Sequence, residues 1–175
     1  MLVRDDAAGQ VGSVTTVGDS LNIGMEPSLD EELRGWRLVH RNENGRRTAE
    51  GIAELRALGY DLGQVVVVSL GTNDAGIDPA AFRGHVDEVL ALAGPRRCVV
   101  WLTISHGGPE ELNDVLEDAA RRHPNLELAD WAALVEEEPE LLAFDGLHGT
   151  PDGYERRAEL VARIARACLP EATTA

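Results

Sequence analysis

Apolar residues along this chain fall into two alternating kinds of stretch. Short runs rich in apolar and β-branched residues predict strands at 14–17, 36–40, 65–70, 98–103 and 126–129. The run at 65–70 is apolar on successive positions, which is typical of a strand buried on both faces of a parallel sheet. We therefore expect five strands in one parallel sheet.

Between these runs, apolar residues recur every three or four positions, which is the spacing of an amphipathic helix. Such faces occur within 49–55, 82–90 and 112–119. The clearest one follows Pro151 and carries Tyr154, Ala158, Val161, Ala165 and Cys168. Alternating strands and helices predict a three-layer α/β/α fold with right-handed crossovers. We expect one domain over residues 1–175, with its core at about 14–168.

The charge of the chain narrows the partners that it can bind. The net charge is -15, from 31 acidic and 16 basic residues, and every basic residue is Arg. A surface this acidic repels phosphate backbones, so we expect no nucleic-acid partner. Nothing in the sequence indicates an oligomeric state.

Targeting and membrane signals are also weak. No stretch approaches the roughly 18 uncharged apolar residues that a membrane-spanning helix needs, so we expect no membrane insertion. The first residues carry acids where a signal peptide would have a basic and then an apolar run. We expect a cytoplasmic protein, or a secreted or excised domain whose targeting segment is absent.

The two cysteines lie far apart in the sequence, both at apolar positions. Cys98 opens a predicted strand, and Cys168 lies on the apolar face of the last predicted helix. Two cysteines do not make a disulfide framework of the kind found in small secreted domains. The pattern favours two buried free thiols.

Candidate chemistry lies at the exits of the predicted strands. Ligands of parallel α/β sheets bind beyond the carboxyl ends of the strands, so the residues that follow each strand carry the function. These residues include Gly18-Asp19-Ser20 after the first strand, Gly71-Thr72-Asn73-Asp74 after the third, and Asp145-Gly146-Leu147-His148 before the last helix.

Asp145 and His148 have the spacing of an acid that orients a base. A carboxylate three residues before a histidine in a Gly-containing turn can accept from the imidazole Nδ1, which leaves Nε2 free to take a proton from a hydroxyl. Ser20 is the candidate hydroxyl, because serine needs such a base to become a nucleophile. His106 is the alternative base, although no carboxylate closely precedes it.

The nucleophile also needs donors for developing negative charge. Ser20 should begin a helix, where free N–H groups favour an anion. Gly45 can present an unobstructed N–H, and the Asn73 amide can donate a third hydrogen bond. The alternative interpretations are simpler: Ser20 as a helix N-cap, and Asn73 with Asp74 as an Asx turn. We expect Asp74 to organise its loop.

Four segments of the chain, in this order, resemble the sequence blocks of the SGNH, or GDSL, hydrolase superfamily. They are Gly18-Asp19-Ser20-Leu21, Gly45 in NGRRTAEGI, Gly71-Thr72-Asn73-Asp74, and Asp145-x-x-His148. The NGRRTAEGI and LGTND forms are most similar to the branch that acts on small O-acyl groups of carbohydrates, including domains attached to membrane acyltransferases.

The resemblance implies a flavodoxin-like fold, a triad of Ser20, His148 and Asp145, and an oxyanion hole. The hole would use the N–H groups of Ser20 and Gly45 and the side chain of Asn73. It further implies hydrolysis of esters through an acyl-enzyme, without a metal or other cofactor.

The expected function is hydrolysis of short O-acyl esters, acetyl above all, on a small molecule or carbohydrate. An acyltransferase would use the same acyl-enzyme, and a non-catalytic flavodoxin-like carrier is the alternative from another class. Few residues remain for a lid, so we expect an open site. The candidate substrate contacts lie close to the candidate catalytic residues in sequence or at a strand exit. They are Asp19, Leu21, Arg46, His106 and Leu147.

Overall fold

A parallel sheet forms the centre of the computed structural model, which describes residues 12–107 and 110–169. The strands are β1 (Ser13–Gly18), β2 (Arg37–Asn42), β3 (Val65–Ser69), β4 (Cys98–Leu102) and β5 (Leu126–Ala129). Their order across the sheet is β2-β1-β3-β4-β5, and every pair is parallel. This is the strand order of the flavodoxin-like doubly wound fold. The predicted fold class is therefore confirmed.

Helices cover both faces of the sheet. They are α1 (Ser20–Glu32), α2 (Thr48–Leu58), α3 (Pro79–Ala93), α4 (Glu110–Arg122), α5 (Trp131–Glu137) and α6 (Pro151–Cys168). Short 3-10 turns occur at Gly59–Asp61 and Pro139–Leu141. None of the helices in the described ranges is long and apolar enough to cross a membrane.

The β3 strand shows why its sequence is apolar at every position. Val66 and Val68 pack into the core beneath α2, α3 and α4, whereas Val65 and Val67 pack into the core beneath α1, α5 and α6. All four valines are fully buried. A central strand of a sheet covered on both faces requires this pattern.

The expectation of two free thiols is wrong, because Cys98 and Cys168 form a disulfide. Cys98 is the first residue of β4, and Cys168 is the last residue of α6. Helix α6 packs across β4, which brings the two Cα atoms to 5.9 Å although 70 positions separate them in sequence. The disulfide joins the ends of these elements that lie opposite the carboxyl edge of the sheet.

Helices α1 and α6 pack closely beside that carboxyl edge. A Cβ atom at Gly24 of α1 would lie 2.1 Å from the Tyr154 ring of α6, so only glycine fits there. The contact fixes the first turns of the two helices relative to each other. Ser20 begins one of these helices, and His148 immediately precedes the other.

Candidate active site

Ser20 is the first residue of α1, directly beyond the carboxyl end of β1. The N-cap of this helix is Asp19, whose carboxylate accepts from Leu21 N at 3.0 Å. The backbone carbonyl of Asp19 accepts from Asn22 N at 3.1 Å. Ser20 is therefore not the N-cap, and its hydroxyl is free to face the site.

A short antiparallel contact places His148 beside Ser20. Leu142 pairs with Gly149, and Ala143 N donates to the His148 carbonyl at 2.7 Å. Thr150 then caps α6 by accepting from Gly153 N at 3.1 Å. The 142–149 loop is thus closed on itself and fixed to the start of a long helix.

The three side chains proposed as a triad form one hydrogen-bonded chain. Ser20 Oγ lies 3.0 Å from His148 Nε2. His148 Nδ1 lies 2.8 Å from Asp145 Oδ2. Since an ionised carboxylate only accepts, Nδ1 carries the proton and the neutral imidazole offers Nε2 to the hydroxyl. The structure therefore brings these three side chains together.

Asp145 is held as a carboxylate by its own loop. The hydrogen bond from His148 and those from the N–H groups of Leu147 and His148, each at 3.0 Å, lower the pKa of Asp145 to about 2. These bonds favour the charged form. Asp145 therefore remains ionised, and its orientation is fixed, throughout the neutral pH range.

Gly45 lies in the exposed loop between β2 and α2. Its φ is +70°, a conformation that favours glycine, and no heavy atom of the described residues lies within 4 Å of the position of a Cβ. No residue in the described ranges accepts its N–H. The position is suited to a backbone donor that faces a ligand.

Asn73 follows β3, and its amide is oriented by two acceptors. Asn73 Nδ2 donates to Asp19 Oδ2 at 3.0 Å and to the Arg46 carbonyl at 3.2 Å. Both partners are acceptors, so the amide nitrogen faces the loops of Asp19 and Gly45. The neighbouring Asp74 is buried and accepts from Thr48 N at 3.1 Å, which ties the β3 loop to α2.

The predicted substrate contacts divide into two groups. Asp19 and Leu21 are 0% and 4% exposed, and Arg46 is buried at 7% with its guanidinium on Glu43 and the Arg41 carbonyl. In this structure the three side chains cap helices or fill the interior, so their contact with a substrate stays a prediction. They were predicted from sequence adjacency, which does not indicate the direction of a side chain.

His106 and Leu147 are the two that remain accessible. His106 lines a cavity of about 240 Å³ with Gly71, Thr72, Glu111 and Leu112. The cavity lies between the loops that follow β3 and β4. His106 has no hydrogen bond to Ser20 among the described residues, so it forms part of the pocket wall and is not the base paired with Ser20.

Sequence inspection missed Arg157, which lies behind the site on α6. Its side chain is 1% exposed, donates to Ser69 Oγ at 2.8 Å, and stacks over Trp131 with the guanidinium carbon 4.8 Å from the ring centroid. One signal in the sequence could have identified Arg157. It is an arginine at a helix position that faces the sheet, and such a position normally carries an apolar residue.

No protein-family model matches the sequence. A curated relative, the O-acetyltransferase OatA of Staphylococcus aureus (strain NCTC 8325 / PS 47), is 28% identical over 102 residues. The match covers 58% of this chain and 16% of the relative, so the chain corresponds to a small part of that protein's length.

Solved structures share the whole architecture. The lipase/acylhydrolase from Enterococcus faecalis has a TM-score of 0.78 at 22% identity, covering 90% of this chain and 97% of that one. The C-terminal catalytic domain of peptidoglycan O-acetyltransferase A (OatA) from Streptococcus pneumoniae, solved with a methylsulfonyl adduct, has a TM-score of 0.73 at 18% identity, covering 90% and 96%.

The fold is shared with this lipase/acylhydrolase and with this O-acetyltransferase domain. The resemblance to the SGNH, or GDSL, hydrolase superfamily is confirmed at the level of this fold.

Proposed function

We propose that this protein is a serine ester hydrolase that cleaves short O-acyl esters, acetyl esters above all, through an acyl-Ser20 intermediate. One observation carries the proposal: Ser20, His148 and Asp145 form a continuous hydrogen-bonded chain with the geometry of a nucleophile, its base and the acid that orients the base.

The reaction begins when Ser20 Oγ attacks the ester carbonyl carbon and its proton passes to His148 Nε2. The tetrahedral intermediate collapses, and His148 gives the proton to the leaving alcohol. Water then attacks the acyl-serine, again losing a proton to Nε2. Collapse of the second intermediate releases the carboxylic acid and returns the proton to Ser20. Asp145 stabilises the imidazolium during both steps without becoming protonated.

Three donors are proposed to hold the oxyanion. The Ser20 N–H belongs to the first turn of α1, where N–H groups have no acceptor within the helix. The Gly45 N–H has no acceptor among the described residues, and its φ is positive. The Asn73 hydrogen that now reaches the Arg46 carbonyl, the longer of its two contacts, is proposed to be shared with the oxyanion, while the other hydrogen keeps its bond to Asp19. Catalytic hydrogen bonds commonly tighten only in the complex.

The alcohol part of the ester is proposed to occupy the cavity of about 240 Å³ that Thr72 and Asp74, the sequence neighbours of Asn73, help to line. Thr72, His106 and Glu111 give this cavity several polar groups. Such groups suit a hydroxyl-rich molecule, such as a carbohydrate, better than a long lipid chain.

Acyl transfer to a sugar or other hydroxyl is the second candidate. The similarity to two OatA proteins, which are named as O-acetyltransferases, favours it. The chemistry is shared up to the acyl-enzyme, and the outcome depends on whether water or an alcohol reaches Ser20 next. Product analysis with sugar acceptors separates the two, because an acetylated sugar forms only by transfer.

We also propose that the domain works in an oxidising compartment. The Cys98–Cys168 disulfide supports this location, because disulfides persist outside the reducing cytosol. Trapping thiols in intact cells with a maleimide reagent tests it. Unmodified cysteines are expected, and modification of both residues would place the protein in a reducing compartment.

The direct test of the hydrolase is Ser20→Ala assayed with p-nitrophenyl acetate. Activity should fall to the background rate while the melting temperature stays near that of the wild type. Ser28→Ala, on the same helix, is the matched control and should retain full activity. Wild-type activity in Ser20→Ala would exclude Ser20 as the nucleophile.

A further inference from the structure

Arg157 is a charged side chain enclosed in the interior behind the site. It is 1% exposed, and its one hydrogen bond to a described residue runs from Nη2 to Ser69 Oγ at 2.8 Å. Its Nε and Nη1 atoms are buried, and none of the described residues accepts from them. A buried cation is costly unless negative charge lies nearby, so its retention requires a partner.

Ser69, at the end of β3, connects Arg157 to the loop of the nucleophile. The Ser69 hydroxyl accepts from Arg157, and the Ser69 carbonyl accepts from Asp19 N at 3.3 Å. Ser69 also pairs with Gly18 in the sheet register. The guanidinium and the backbone of Asp19 are thus both held by one residue.

Asp19, which Ser69 connects to this cation, carries a carboxyl group that is 0% exposed. Burial raises the pKa of Asp19, and the Leu21 N–H, then the charge of Arg157 and, more weakly, His148, oppose that shift. Burial lowers the pKa of Arg157 to about 10, which leaves it charged at neutral pH, and Asp19 and then Tyr154 oppose this shift. Two buried opposite charges therefore stabilise each other over a distance.

The carboxylate of Asp19 performs two tasks in the site. Its Oδ1 atom accepts from Leu21 N in the first turn of α1, and its Oδ2 atom accepts from Asn73 Nδ2. Protonation would put a hydrogen on an oxygen that now accepts, which would weaken one of these contacts. The orientation of Asn73 therefore depends on the charge state of Asp19.

We propose that Arg157 is a positioning residue for the reaction proposed above: it holds Asp19 as a carboxylate, and Asp19 in turn orients Asn73 and the first turn of α1. Arg157 does not touch the substrate. The kinetic consequence of this role rests on the proposed ester hydrolysis. The effect on the charge of Asp19 does not, because it exists whether or not the protein is an esterase.

The variants Arg157→Met and Arg157→Lys separate the effect of the charge at this position from the effect of side-chain packing. Methionine fills the space over Trp131 without a charge, whereas lysine retains the charge without the planar fork. Arg163→Met, at an exposed position of the same helix, is the matched control. It should behave as the wild type.

The kinetic test is the pH dependence of kcat and kcat/KM for p-nitrophenyl acetate. Arg157→Met should lower kcat about tenfold to a hundredfold, less than loss of an oxyanion donor, with KM changed little. Protonation of the base, His148, gives the kcat/KM profile an acid limb in every variant. Protonation of Asp19 adds a second loss of activity, so the limb should steepen at a higher pH in Arg157→Met, by at least about half a pH unit, because Asp19 then protonates more easily. Arg157→Lys should leave that limb in place.

A double-mutant cycle with Asp19→Asn assigns the shift to Asp19. In the Asp19→Asn background, Arg157→Met should leave the acid limb where it is. A merely structural role would lower the melting temperature of Arg157→Met and leave the acid limb unmoved in both backgrounds. That result would overturn the proposal.

A measurement without substrate keeps this proposal distinct from the proposed function. Titration of the Asp19 carboxyl carbon by NMR should give a higher pKa in Arg157→Met than in the wild type and little change in Arg157→Lys. An unchanged Asp19 pKa in Arg157→Met would overturn the proposal even if the enzyme is an esterase. If Arg157→Met does not fold, equal acid limbs in Arg157→Gln and the wild type would overturn it.

Discussion

The amide nitrogen of Asn73 lies 3.0 Å from Oδ2 of Asp19, a fully buried carboxylate one residue before the proposed nucleophile. The contact joins the loop after β3 to the first turn of α1. Two donors of the proposed oxyanion hole, the Asn73 side chain and the Ser20 N–H, are therefore fixed relative to each other before a substrate arrives. Such preorganisation is the main source of electrostatic catalysis.

Asn73→Ala should lower kcat for p-nitrophenyl acetate by about a hundredfold to a thousandfold with a small change in KM, because the donor acts on charge that develops in the transition state. Asn73→Asp should lose at least as much, since it places a second carboxylate beside Asp19. Steady-state kinetics with melting temperatures measure both. A loss confined to KM would mean that Asn73 binds the ground state.

Asp145→Asn should lower kcat by several orders of magnitude, on the order of the ten-thousandfold loss known for this change in serine proteases. The amide can present its N–H to Nδ1, which favours the tautomer with the proton on Nε2. That tautomer cannot accept a proton from Ser20. The same substitution at the exposed Asp61 is the control. Near wild-type kcat in Asp145→Asn would show that the imidazole needs no acid.

Asp145 should also contribute to stability in a defined pH range. Its pKa is lowered from 3.8 to about 2 in the folded state, chiefly by the His148 hydrogen bond. A lowered carboxyl pKa stabilises the fold above the unfolded value, and this stabilisation is lost as the pH falls through the folded value. The difference in unfolding free energy between wild type and Asp145→Asn should therefore shrink between about pH 4 and pH 2.

Urea unfolding at several pH values measures that difference. The effect should be modest, because Asp145 is well exposed and solvent screens its interactions. A difference that grows with acidification would contradict the assignment.

The disulfide should support the fold without acting in the reaction. Replacing both Cys98 and Cys168 with Ser should lower the free energy of unfolding by about 2–4 kcal/mol, the usual contribution of a disulfide. At 25 °C kcat should stay near that of the wild type, because the disulfide lies at the edge of the sheet opposite the site. Unfolding curves and ester kinetics, with and without reductant, test both statements.

The sheet could be predicted from the sequence because the residues of β3 are apolar at successive positions, which is typical of a strand buried on both faces. The location of the candidate site could be predicted for a related reason: Ser20, Asn73 and Asp145-x-x-His148 all follow predicted strands or precede the last helix, and a parallel sheet brings those positions to one edge. Segment order and topology were enough to bring together Ser20 and His148, which are 128 residues apart.

The features that could not be predicted depend on the directions of side chains and on contacts between elements that are far apart in the sequence. Asp19 and Arg46 look like site residues in sequence, yet each turns inward to satisfy backbone groups. Cys98 meets Cys168 only because α6 crosses β4. Arg157 becomes informative only when its burial beside Ser69 is known, since most helix arginines face water.

Labelling with phenylmethanesulfonyl fluoride, followed by peptide mass mapping, tests the central claim most directly. The reagent sulfonylates a serine that a neighbouring base has activated, so the adduct requires both the nucleophile and its imidazole. The account predicts one modified residue, Ser20, in the wild type, and no adduct in His148→Ala under the same conditions. Labelling of another serine, or equal labelling of Ser20 without His148, would contradict it.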